Sequence, residues 1–285
     1  MAFKFAAGET IETGLRRIVA EQAGKAALAA RDGADDPQAA IHAVRRRCKK
    51  IRAALRLVRG SFPDYRRENE AVRDAARALG RLRDRPVVLQ TYDALVREEN
   101  LSPDTTERDR LVQSLATSMS DDPIAALESF ADEMDELVAR SEDWKLKRDG
   151  FVALEEGLEK TYHRTRKALK VAQRHPTTLH LHDWRKLAKY HGHHLGLISP
   201  SAPHILLASR TAANDLADLL GRHHDLDMLA GSLPADTSLA PAMARRKREL
   251  EAESFRLGGE LTVEPPDAFA TRCSAYWADW VAEKK

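Results

Sequence analysis

The sequence predicts an all-α protein built as two similar helical bundles, and three observations carry that expectation. Ala, Leu, Arg and Glu dominate the 285 residues while β-branched and aromatic residues are sparse, a composition that favours helix. Apolar residues recur at intervals of three and four, the period of a helix with one buried face. The segment AIHAVRRRCKKIRAALRLVRG at 40–60 also returns in altered form about 140 residues later as LHDWRKLAKYHGHHLGLI. A repeat on that scale points to duplicated supersecondary units.

Helices are predicted over 10–31, 37–60, 65–84, 86–99, 105–118, 121–147, 149–174, 178–198, 203–223, 239–257 and 266–283. The first begins directly after Met1-Ala-Phe-Lys-Phe, which has no apolar leader pattern. The second opens at Asp36-Pro37, where proline suits the first helical position because its missing N–H would be unpaired there. Ser61-Phe62-Pro63 separates it from 65–84, a helix ending in LGRLRDR (79–85). After 86–99, Ser102-Pro103 introduces 105–118, and Asp122-Pro123 introduces 121–147. The next helix, 149–174, is stopped by His175-Pro176, and 178–198 by Ser199-Pro200. The helix at 203–223 closes on LLGRHHD (219–225), Gly258-Gly259 ends 239–257, and Pro265-Pro266 opens the last.

Within 37–60, Ile41, Val44, Cys48, Ile51, Leu55 and Val58 form one apolar stripe. Shifted by one residue run His42, Arg45, Lys49, Arg52 and Arg56, so a core seam and a cationic seam lie about 100° apart on one helix. The segment 41–59 holds eight Arg and Lys and no acid. At an offset of 140, His42 aligns with His182, Arg45 with Arg185, Arg46 with Lys186, Lys49 with Lys189 and Leu55 with Leu195. At 141, Asp74 aligns with Asp215, Gly80 with Gly221, Arg81 with Arg222 and Asp84 with Asp225. The halves are expected to divide near 147–150, and pairing them would bring the two seams together around a central basic channel. Like charges at such spacing repel by about a few tenths of a kcal/mol per pair, a standing cost unless an anion relieves it. The alternative is that Asp74, Asp84, Asp215 and Asp225 pair with the seams. Arg81 and Arg222 read equally as ligands or as helix-end charges.

Net charge is only +2, so a polyanion site has to arise by segregation. Residues 121–143 provide the counterpart, with nine acids against Arg140 alone. These acids are spread around the helix and read as a solvated outer face. Two cysteines exclude a disulfide framework and suit a reducing compartment. No run approaches the ~18 apolar residues of a membrane span, so the expected location is cytoplasmic. His182-Asp183 and His224-Asp225 resemble the pairs of all-helical HD-type metal phosphohydrolases. The cations beside them would repel a divalent metal, and the repeat accounts for these positions without one. Nucleic acid is the other polyanion, but stacking platforms are few near the seams, and Trp184 falls on a core stripe.

The pattern His42-x-x-Arg45-x-x-x-Lys49-Lys50-Ile51-Arg52-x-x-Leu55-Arg56, its copy from His182, and the two LG-x-x-x-D blocks resemble the CHAD domain, the conserved-histidine α-helical domain. Tyr162-His-Arg164-Thr-Arg166-Lys167 resembles the helix before its second histidine motif, and Pro266-x-Ala-Phe269 with Tyr276-Trp277-x-x-Trp280 resembles its closing helices. The resemblance implies a single domain over 1–285, with repeats 1–147 and 148–285. It also implies a free-standing, non-catalytic protein whose basic channel binds inorganic polyphosphate, with polyphosphate granules as the expected setting. Neither cofactor nor metal is implied. Phosphate contacts are expected from Arg45, Arg46, Lys49, Lys50, Arg52 and Arg56 and from Arg185, Lys186 and Lys189. His42, His182 and His193 would donate, and Arg16, Arg81, Arg166 and Arg222 would extend the site. The second copy departs from the first: Gly192 and Gly196 stand opposite Arg52 and Arg56, and Tyr190 opposite Lys50. Its histidines are expected to make binding tighten as pH falls toward 6.

Overall fold

Thr10, Asp36, Asp122 and Thr177 each place a side-chain oxygen on the first free N–H groups of the helix that follows, and this capping fixes four of the chain's turns. The computed structural model describes residues 3–79, 84–101, 105–116, 122–234 and 236–283. Among these residues it is all-helical and has no strand. The helices are α1 (Ile11–Arg31), α2 (Pro37–Leu57), α3 (Tyr65–Ala78), α4 (Asp84–Glu98), α5 (Thr105–Ala116), α6 (Pro123–Ser141), α7 (Glu155–Arg174), α8 (Thr178–Ile198), α9 (Pro203–Ser232), α10 (Ala240–Leu261) and α11 (Pro266–Ala282). No helix among the described residues is long and apolar enough to cross a membrane.

Several boundaries differ from expectation, among them α3, which ends at Ala78 rather than 84, and four of the others have a packing cause. The helix predicted to 147 stops at Ser141, because the backbone beyond it finds partners elsewhere. Arg16 donates to the Trp144 carbonyl, the Leu146 N–H donates to Glu12 at 2.9 Å, and the Lys147 N–H donates to the Ser61 carbonyl at 2.8 Å. The Trp144 ring then buries against Phe62 with centroids 4.9 Å apart. Asp149 caps α1 by accepting from the Ile11 N–H at 2.7 Å, Gly150 adopts φ +62°, and a 3₁₀ turn at Phe151–Ala153 precedes α7. Helix α9 continues past the expected end at 223 because Leu226 and Leu229 are buried against α4 and α10. Helix α10 runs through Gly258-Gly259, since Gly258 is where the Trp184 ring presses on the backbone. A Cβ there would lie 2.3 Å from that ring. The glycine serves close approach rather than termination.

The largest core cluster joins α1, α2 and α6 to Leu195, Leu197 and Ile198 of α8 and to Phe269, Trp277 and Trp280 of α11. A second places Val88, Tyr92 and Leu95 of α4 and Leu111 of α5 against Leu226, Leu229 and Leu250. Thus α4, which precedes residue 147, packs on α9, which follows it, and α5 joins the same cluster beside α4. Trp184 is buried, stacked near Phe255, and forms the third cluster with Leu181, Leu216 and Leu220. Both cysteines are buried free thiols, and burial pushes each up to about 12. The acids of α6 face outward, Arg31 pairing with Asp132 and Asp135 and Arg140 with the buried Glu68.

Helix α7 can approach the end of α2 only at Gly157, where a Cβ would stand 1.9 Å from the Leu57 carbonyl oxygen. Gly157→Ala is therefore expected to destabilise the protein by roughly 1–3 kcal/mol despite raising helix propensity. A lowered thermal midpoint in circular dichroism checks this, and an unchanged or raised midpoint refutes it.

Candidate functional site

Burying the apolar stripe of α2 fixes the direction of its cationic neighbours. Ile41, Val44, Cys48, Ile51 and Leu55 are all buried, so Arg45, Lys49, Arg52 and Arg56 line up along the flank that meets α8. The two helices touch at a short polar contact. His194 is fully buried on α8, and its Nε2–H donates to the Ala53 carbonyl of α2 at 3.0 Å. One turn away, the Arg56 guanidinium lies 4.4 Å over the Tyr190 ring.

A cavity of about 310 Å³ opens on one side of this crossing. It is lined by Arg45, Lys49 and Arg52 of α2, Val87 of α4, His182, Arg185, Lys186, Lys189, Tyr190 and His193 of α8, and His224, Asp225 and Met228 of α9. A second, of about 620 Å³, adjoins it and shares Arg52, Lys186 and Tyr190. Its other walls are Arg56 of α2, Arg164, Lys167, Ala168 and Val171 of α7, and His180, Asp183 and Leu187 of α8. Together they form a cleft with many permanent cations and only Asp183 and Asp225 as lining acids.

Several cations are oriented by neutral groups. Arg52 donates to the Asn69 amide oxygen at 3.2 Å, Arg185 to the Ala217 carbonyl at 3.2 Å, and Arg45 to the Ala76 carbonyl at 3.5 Å. Such partners hold a guanidinium in place without cancelling its charge. Burial, and then the Arg56 charge, lower the pKa of Arg52. Carboxylates do reach two lysines: Asp183 lies 2.6 Å from Lys186 and Asp218 3.8 Å from Lys189. Of the acids that the alternative sets against the first seam, Asp74 makes its ion pair with Arg73 at 2.8 Å, with Arg52 among the more distant charges acting on it, and the Asp84 side chain falls outside the described residues.

Burial dominates the state of four histidines on α8. Burial, then His224, Lys186 and Arg185, push His182 down to about 4, its ring 4.7 Å from that of His224. Burial, then Lys50, Arg210 and Lys189, push His193 to about 3. In the ligand-free protein both imidazoles are therefore held toward the neutral form at pH 6. Burial alone takes His191 to about 4 and, as the leading cause, takes His194 well below its ordinary value. Among the described residues no group of three His, Cys, Asp or Glu side chains stands close enough to hold a metal.

The cleft thus gathers Arg45, Lys49, Arg52, Arg56, His182, Arg185, Lys186, Lys189 and His193. The remaining candidates lie elsewhere. His42 and Arg46 are exposed on α2 outside both cavities, and the Lys50 ammonium sits 5.3 Å over the Phe3 ring. Arg166 is half-buried on α7 and lines neither cavity. Arg16 is taken by the Trp144 carbonyl and Glu12, and Arg222 by Glu98 at 3.1 Å. Ion pairing that anchors neighbouring segments accounts for these last two. Arg81 falls outside the described residues. Sequence reasoning missed Arg164 and Lys167, although 164, 167, 168 and 171 repeat the three-four spacing that marks one helix face.

Comparison with family models gives a match to the CHAD domain over residues 14–234, which leaves the two closing helices beyond the matched stretch. Comparison with curated proteins gives no match, and comparison with solved structures gives none.

The depressed histidines also set a stability window. Their folded values lie below the ordinary imidazole value of about 6.5, so the unfolded chain binds the extra protons. Stability is then retained above about pH 6.5 and falls as pH drops toward 4. For His191, 1 % exposed, the loss is on the order of 3 kcal/mol across that window. Denaturant midpoints should fall from pH 7 to pH 4.5, and less steeply in His191→Phe; equal pH dependence in the two proteins refutes this.

Proposed function

The chain belongs to the CHAD domain family, and from that premise we propose that its basic cleft binds inorganic polyphosphate without catalysing its turnover. One observation carries the reading: Arg52, shared by the two cavities, and Arg56, one turn on in the second, are held by an amide oxygen and an aromatic ring. A cation oriented by neutral partners keeps its full charge for a ligand, and guanidinium groups suit phosphate oxygens through paired N–H donors. The cavities adjoin rather than standing alone, so they suit a linear anion that spans both. A phosphate polymer carries charge along its whole length and has no bases to recognise.

Two equivalent contacts support an internal repeat around this channel. Arg45 of α2 donates to the carbonyl of Ala76 in α3, and Arg185 of α8 donates to that of Ala217 in α9. Residues matched by the sequence offset of about 140 thus make the same kind of bond to the helix that follows. In this reading 1–147 and 148–285 are related units, each supplying one wall. Granule association in the cytoplasm is the expected setting. A nucleic-acid strand is the rival polyanion, but the central ring, Tyr190, already has the Arg56 guanidinium on one face, which leaves a poor platform for stacked bases.

Titration with long-chain polyphosphate, pyrophosphate and single-stranded DNA, over a range of salt and with or without a chelator, tests the proposal. Tight, salt-sensitive, chelator-resistant binding that favours long polyphosphate is the expected result. Metal-dependent phosphate release, or a preference for DNA, overturns it. Arg52→Gln with Lys186→Gln should weaken polyphosphate binding roughly 10–100-fold, at about tenfold per lost charge-assisted contact, with the thermal midpoint little changed.

A bound polyanion would raise the pKa of His182 and His193 by placing negative charge beside them. Protons are then taken up on binding, so affinity should rise as pH falls below the bound-state values and level off near the free-state value of about 4 for His182. Calorimetry in buffers of different ionisation heat reads this uptake directly, and zero uptake at pH 5.5 contradicts it.

A further inference from the structure

Beyond His193 the cationic wall continues on a face that lines neither cavity. The first component is Arg210 of α9. Its side chain lies flat against α8 at Gly196, where an added Cβ would meet its Nε at 3.1 Å and its Cζ at 3.3 Å. Gly196 is the position at which the second copy of the repeat lacks the cation that Arg56 supplies in the first. Helix α9 therefore lays an arginine over the place where α8 has no side chain. In the same region Asn214 Oδ1 stands 3.0 Å from the Cβ position of Gly192, so both glycines of α8 accommodate polar side chains from α9.

The second component is Lys50, whose ammonium sits over the Phe3 ring. The edge of that ring meets His193 with centroids 5.8 Å apart. Phe3 thus bridges Lys50 and a residue that already lines the cleft. Helix spacing puts Arg46 one turn before Lys50 on the same face of α2. Every charge that acts notably on Lys50 is positive: after burial come Arg47, Arg46, Arg210 and Lys25, and its pKa is lowered. Two of those neighbours are otherwise engaged, Arg47 with Gln22 and Lys25 with Glu21. No ion pair with an acid forms at Arg46, Lys50 or Arg210 among the described residues. Like charges gathered without an acid are held at a cost that an anion would remove.

We propose that Arg46, Lys50 and Arg210 form a second phosphate-binding station, reached past His193 and Phe3, which grips the part of a polyphosphate chain that leaves the cleft. This rests on the polyphosphate reading of the cleft and deepens it, because it makes chain length the selected property. A ligand that fits within the cleft gains nothing from the station. A longer one gains a second contact as an intramolecular event, with the local concentration that tethering provides.

The test is a comparison of tripolyphosphate with long-chain polyphosphate on the wild-type protein and on Arg210→Gln and Arg210→Lys. Arg210→Gln should weaken long-chain binding about tenfold and lower its salt slope by about 1, with tripolyphosphate affinity within about twofold of wild type. Arg210→Lys, which keeps the charge, should recover most of the loss. Unchanged long-chain affinity in Arg210→Gln, or a loss in Arg210→Lys as large as in Arg210→Gln, overturns the station while the cleft reading stands. Equal tightness of the two ligands on the wild-type protein does the same. A wild-type protein that binds neither phosphate overturns the cleft reading and the station with it.

Discussion

The crossing of α2 and α8 forces two like-charged helix faces toward one cleft, and every other feature of the site follows from that contact. Its interior is apolar: Ile51, Ala54 and Leu55 on one side and Leu195 and Ile198 on the other are all buried. Burying one large aliphatic side chain contributes roughly 1.5–3 kcal/mol, against about a few tenths for a repulsive pair at the surface. The core therefore outweighs the repulsion, and the fold keeps its cations close without an acid on each. The polar exception at the crossing obeys the same arithmetic. The Ala53 carbonyl can only accept, so His194 carries a proton on Nε2, and burial keeps the ring neutral with Nδ1 unpaired. An imidazolium there would sit fully buried, with Arg59 among its neighbours.

Much of this arrangement was legible from spacing. The stripe from Ile41 to Val58 implied a buried face, and the cationic flank followed by geometry alone. The positions of Arg45, Lys49 and Arg52, and of Arg185, Lys186 and Lys189, needed only the repeat and the helical period. What the sequence hid depends on tertiary partners. Residues 142–150 carry nothing that forbids helix, yet Arg16, Glu12 and Ser61 take their backbone groups. Gly258-Gly259 has the form of a helix stop, but the ring of Trp184 makes the first glycine a packing requirement. Arg222 looked like a site cation because its acid, Glu98, lies on a face that only the folded chain brings into register, whereas Arg16 has Glu12 one turn away on its own helix and is drawn off by the distant Trp144 carbonyl.

The differences between the two offset-matched segments have the same explanation. On sequence, the later segment has Gly192 and Gly196 opposite Arg52 and Arg56 and adds histidines, as though titratable charge replaced permanent charge. In the folded chain those imidazoles are neutral, because burial and the surrounding cations oppose their protonation. Permanent charge is supplied from neighbouring helices: Arg164 and Lys167 of α7 line the second cavity, and Arg210 of α9 lies over Gly196. The glycines are thus less a loss of ligands than the room in which a neighbour's arginine lies. Neutral histidines in such a wall are economical, since they present donors to an anion without adding to the repulsion of the empty cleft. If the cleft takes a polyanion as proposed, their charge would appear only with that anion in place, and the histidines would amplify an attraction that the arginines and lysines establish first.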